Sequence, residues 1–182
     1  MTLPTSGPLS LNDIRIEQNQ PTKSPYGLIE ASTNAAGYSI VNPDSLLQPN
    51  SVPPYSVSEW YGYSAFTIVW NNVSNTKLDI YVNNTLALTN SNTANGVLNV
   101  NLNDVFYATF TPLSYGAFTS LNLTTYQRSA TSPYSYGTLQ SISRSSGDFS
   151  PNSTSATPIT VSPNSSGIGA YRIDTFGLPV PS

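Results

Sequence analysis

At 182 residues, with charged side chains on only 8% of positions and a formal net charge of −3, the chain carries its polarity mainly on Asn, Ser and Thr. Its six basic residues are scattered, which argues against a nucleic-acid partner, because neutralising a phosphate backbone takes clustered Lys and Arg. With neither Cys nor His, it lacks disulfides, a thiolate nucleophile and the side chain that most often serves as general base or transition-metal ligand, and most enzyme classes are excluded with them.

The length fits one domain with an attached arm. Disordered chains are usually poor in aromatics, whereas this one has 12 Tyr, 6 Phe and 2 Trp to bury, so a folded β-rich domain is expected. No apolar run approaches the roughly 20 residues of a membrane helix. The opening MTLPTSGPLS has neither the basic start nor the apolar segment of a secretory signal. A soluble chain made without an export peptide, with no membrane partner, is the expectation.

Residues 1–63 are broken by SGP, QPTKSPYG, NPD, QPN and VPPY. Proline fixes φ and lacks a donor N–H, so this spacing excludes long helices and central strands and predicts an extended arm. Two short helical turns interrupt it, each read as a capping box: Ser10 with Asp13, and Ser56 with Glu59. The apolar residues nearby, Ile14 and Ile16 in one case, Trp60 and Tyr61 in the other, would dock each turn. An isolated turn is unstable in water, so each needs a partner surface.

From about residue 64 the pattern becomes alternating and β-branched. AFTIVW, KLDIYV, TLALT, GVLNVNL, VFYATF, FTSLNLTTY, YGTLQSIS, TPITVS and AYRIDTF are the predicted strands, separated by turn-formers such as VNN, NSNTAN and LND. Many short strands with turn signals between them predict an all-β antiparallel sandwich over 64–182, Ig-like or jelly-roll-like. A Greek-key barrel is the nearest rival.

No local motif pairs the nine carboxylates as a glycosidase requires, and none has EF-hand spacing. No metal or cofactor is expected. Sequons at Asn72, Asn83, Asn122, Asn152 and Asn164 follow from composition. Two groups of aromatics, Tyr55, Trp60, Tyr61 and Tyr63, then Tyr115, Tyr126, Tyr134 and Tyr136, suit protein packing or sugar stacking; packing is the preferred reading.

LPTSGPLSLNDIRIE, Leu3 to Glu17, resembles the amino-terminal motif of many tailed-phage virion proteins, a Ser-Gly-Pro-aliphatic-Ser-aliphatic-Asn/Ser-Asp-Ile phrase. In that family a Ser-aliphatic-Ser-Glu/Asp-aromatic-Tyr-Gly phrase follows, and SVSEWYGY, Ser56 to Tyr63, is similar to it. The resemblance covers only the arm, and the segment between the phrases is longer than the family's spacers. It implies a virion structural part, associated with tail, neck or fibre and without known catalysis. Ser10, Asp13 and Ile14, with Ser56, Glu59, Trp60, Tyr61 and Gly62, would be its fold and docking elements. The expected partners are other virion proteins and copies of the chain itself. A capsid-surface decoration role and a module binding a host glycan are the alternatives.

Overall fold

The computed structural model describes residues 2–20, 27–33, 41–73, 75–113, 118–129, 135–145, 154–164 and 168–179. Tyr115, Tyr134 and Asn152 lie outside them. Two five-stranded sheets face each other. The first runs β4 (Ala94–Asn99), β1 (Phe66–Asn72), β10 (Gly169–Pro179), β6 (Phe118–Arg128), β7 (Tyr136–Ser145). The second runs β3 (Thr85–Asn90), β2 (Thr76–Val82), β5 (Val105–Pro112), β8 (Thr154–Ser155), with β9 (Ile159–Thr160) also on β5.

Alternation explains the two faces. Ile68, Tyr171, Ile173, Leu121 and Leu123 turn inward from the first sheet, and Leu78, Ile80, Phe106 and Phe110 from the second, all almost fully buried. Across the interface the Phe106 and Tyr171 rings meet edge to face at 5.0 Å, the arrangement aromatic quadrupoles favour. The Tyr171 hydroxyl donates to Ser162 O at 3.1 Å and accepts from Ser162 N at 2.9 Å, so its polar end is satisfied inside the core.

The strands fall where the alternation places them, with three differences. TPITVS supplies only the two residues of β9, and β8 carried too little pattern to be foreseen. GVLNVNL pairs only to Asn99, because Asn103, at φ 69°, bends the chain into a turn. The sandwich is also not wholly antiparallel: β1 and β10 pair in parallel from Phe66↔Gly169 to Asn71↔Asp174. Periodicity gives the face of a strand, never the direction of its neighbour.

The VNN signal is a two-residue hairpin turn. Asn83 and Asn84 have φ of 51° and 62°, the left-handed pair that matches strand twist between Val82 and Thr85. Asn72, one of the sequons, is buried, donating to Thr76 O at 2.8 Å and accepting from Thr175 Oγ1 at 2.9 Å. Its amide therefore serves the fold.

Phe106→Ala removes the ring that joins the two sheets and should cost about 3–5 kcal/mol of stability. Urea unfolding should show the midpoint falling with an unchanged slope; a loss under about 1 kcal/mol would mean that the sheets do not depend on this contact.

Candidate functional site

The N-terminal segment lies on the outer face of the first sheet. Thr67 on β1 and Ala170 on β10 share that face and are both buried, and the Asn42 side chain donates to Thr67 Oγ1 and to Ser64 O, each at 3.0 Å. Asn42 N donates to the Tyr63 hydroxyl at 2.8 Å. Asp44 accepts from Arg128 at 2.9 Å on β6 and from the Tyr136 hydroxyl on β7. Burial, then this bond to Asp44, raises the Tyr136 pKa far above its ordinary value, so it stays a donor.

The start of the chain is joined to the second sequence phrase. Leu3 N donates to Tyr63 O at 3.0 Å and Gly62 N to Pro4 O at 2.9 Å; the Tyr61 hydroxyl donates to Gly7 O. Gly62 has a φ of 73°, and a Cβ there would lie 2.6 Å from Leu47 Cδ1, so glycine suits the seventh position of the phrase.

Helix α1 (Leu11–Glu17) begins with the predicted capping box. The Ser10 side chain accepts from Asp13 N at 3.3 Å, and Ser10 N donates to Asp13 Oδ2 at 2.8 Å. The Ser10 hydroxyl also donates to Asp13 Oδ2 at 2.6 Å, and this bond first, then the one from Ser10 N, holds the Asp13 pKa below its ordinary value. At the other end Glu17 is buried, with Oε1 accepting from Ala65 N at 2.8 Å where β1 begins. Burial raises its pKa, and the Ala65 bond opposes the rise. Gln18 Nε2 donates to Ala31 O on α2 (Leu28–Thr33) at 3.4 Å.

The second turn differs from its prediction. Val57–Trp60 is a 3₁₀ turn in which Ser56 accepts from Ser58 N at 3.1 Å. With that shorter turn the cap hydroxyl is committed one residue early, and Glu59 makes no return bond to Ser56. Glu59 Oε2 and Trp60 Nε1 are instead buried without hydrogen-bond partners.

The eight predicted docking residues therefore have different positions. Ile14 and Trp60 are wholly buried in the chain's own core, with Trp60 edge-on to Tyr63 at 4.9 Å. They anchor the segment to its own sandwich, so the arm does not need another subunit for them. Ser10, Asp13 and Ile16 face outward, and Ser56, Glu59 and Tyr61 are half-buried. Five exposed large apolar residues, Ile16, Ile29, Leu46, Leu47 and Val52, belong to this segment. Ile16 also lines an apolar pocket of about 200 Å³ with Leu3, Pro4, Pro8, Asp13 and Glu17. Sequence reading missed Asn42, Asp44 and Glu17 as anchors. NPD reads locally as a turn, and nothing near it points to Arg128.

A second concavity of about 330 Å³ lies at the β4 side of the first sheet, lined by Val69, Trp70, Asn71, Asn95, Gly96, Val97 and Arg172. Arg172 donates through Nε to Asp174 at 2.9 Å, and its guanidinium lies over the Tyr136 ring, 5.8 Å from the centroid. On the other sheet Tyr81 and Tyr107 stack at 4.9 Å next to exposed Leu86. Among the described residues no three acidic side chains gather as a metal site, and no helix is long and apolar enough to cross a membrane. Comparison with protein-family models, with characterised proteins and with solved structures finds no match to this chain.

Two outcomes follow. Asp44→Ala removes the carboxylate to which both Arg128 and Tyr136 donate and should cost about 2 kcal/mol; limited proteolysis should then cut within residues 41–63 before it cuts the sandwich, and simultaneous cleavage would refute a separately docked segment. Because the folded Glu17 binds its proton more tightly than the unfolded chain, its contribution to stability falls as pH rises from its ordinary 4.5 through the raised value. Glu17→Gln should flatten that part of the melting-temperature profile, and an unaltered profile would remove the assignment.

Proposed function

We propose that the chain is a non-enzymatic structural component of a phage virion, associated with tail, neck or fibre, and that its N-terminal segment is the docking element. The observation that carries this reading is the segment's two-sidedness. Ile14, Trp60, Tyr63 and Leu3 fix it to the sandwich while Ile16, Leu46, Leu47 and Val52 remain uncovered. Scattered exposed apolar residues are ordinary, but several on one segment are what a docking partner covers. The two phrases similar to phage virion proteins, Ser10–Ile14 and Ser56–Gly62, flank this surface. Docking uses a preformed face, without the ordering cost a free arm would meet on binding.

The same face would serve a capsid decoration protein. An antibody against the chain should label purified particles in electron micrographs, at the tail or neck in the first case and over the capsid in the second; particles free of the chain would sink both. Leu46→Asp with Leu47→Asp should reduce incorporation at least about tenfold while leaving the circular dichroism spectrum unchanged.

A glycan-binding role is the second reading. It is favoured by the concavity at Trp70, where Asn71, Asn95 and Arg172 offer planar amide and guanidinium groups over an apolar floor, the chemistry that suits vicinal hydroxyls.

A further inference from the structure

We infer that β4 is a pairing edge at which two copies of this chain join their sheets about a two-fold axis through Val97. Among the described residues the edge is open in a defined way. β4 is outermost in its sheet and keeps unbroken antiparallel register with β1, from Thr67↔Asn99 to Asn72↔Ala94. Val100 N donates to Phe66 O at 3.1 Å, which sets the phase of the ladder. In an antiparallel pair the bonded and unbonded positions alternate, so Ala94, Gly96 and Leu98 face β1. The N–H and C=O groups of Asn95, Val97 and Asn99 point away from the sheet. The next outward donor, Asn101 N, is occupied by Asp104 Oδ2 at 2.7 Å.

The remaining edges carry the devices that prevent strand addition. β8 and β9 are two residues each, with Pro158 between them. β3 has an extra residue, Ala87, opposite β2, and β7 has Leu139 bulged opposite β6 and carries Arg144. β4 has no such protection: residues 83–103 contain neither Pro nor a charged side chain.

The pattern on the edge also selects its occupant. Read in either direction, the outward positions are Asn, Val, Asn. A two-fold axis at Val97 sets Val97 against Val97 of the second copy, and Asn95 against Asn99 of the second copy. Every outward N–H then meets a C=O, amide side chains lie opposite amide side chains, and no like charges are opposed. An isologous contact requires this self-complementarity, whereas an unrelated extended peptide would have no reason to match it. Gly96 keeps the strand close to its own sheet, since a Cβ there would stand 2.8 Å from Trp70 Cζ2.

Sedimentation velocity across a concentration series tests the assignment on the full chain. The wild type should shift from monomer to dimer as concentration rises. The double variant Asn95→Lys with Asn99→Lys puts like charges in opposition and should weaken the dimer about tenfold or more, with unchanged circular dichroism because both positions are exposed. Val97→Pro removes one outward donor without breaking a bond to β1 and should act likewise. Ser141→Lys on β7 should leave the dimer intact. Amide exchange gives an independent readout: Asn95, Val97 and Asn99 should gain protection with concentration, and Leu98, already bonded to β1, should not. A wild type that stays monomeric throughout, or a dimer that the double lysine variant leaves intact, overturns the inference.

Discussion

The parallel pairing of β1 with β10 is the constraint on which the rest of the molecule depends. β10 lies in the middle of its sheet, between β1 and β6. Without it, β4 with β1 and β6 with β7 would be two separate antiparallel pairs, neither able to complete the layer facing β2 and β5. It also supplies Tyr171 and Ile173 to the core, and Ala170 beside Thr67 on the opposite face. Pairing of this kind joins residues far apart in sequence, so loop-closure entropy must be met before the contacts form.

The N-terminal segment depends on that layer. Its hold combines buried rings, Trp60 on Tyr63, with polar contacts aimed at several strands: Glu17 at the entry to β1, Asn42 at Thr67, Asp44 at β6 and β7. Each contact is ordinary in size, but together they join one segment to β1, β6 and β7. Its outward side is then a rigid display of Ile16, Leu46, Leu47 and Val52. Apolar area presented on a formed surface can bind with little further loss of conformational freedom.

The sequence was legible where the determining interaction is local. Alternating residues located the main strands, Asn83-Asn84 marked a hairpin, and Ser10 with Asp13 closed the box they promised. The same grammar held only in part at Ser56 and Glu59: Ser56 caps the turn, but the turn is the tighter 3₁₀ form and Glu59 does not return the bond. Other features had no local signature. A carboxylate such as Asp44 looks the same in a turn whether or not an arginine lies across the sheet. Among the described residues of 1–63 no regular strand forms, as the Pro-rich composition implies, yet that composition is silent on whether such a segment lies free or against its own domain. Ile14 and Trp60 show the latter, since a wholly buried side chain has already found its surface.

The position of β10 between two strands that hold the N-terminal segment, β1 with Thr67 and β6 with Arg128, has a consequence for timing. β10 follows both of these strands in the chain, so the two halves of the platform are joined only after it has been made. The segment can settle across both halves only after β10 has entered the sheet between β1 and β6. The outward face of the described part of that segment therefore reports that β10 is in place. A chain stalled before β10 would carry the same N-terminal residues without the joined platform beneath them.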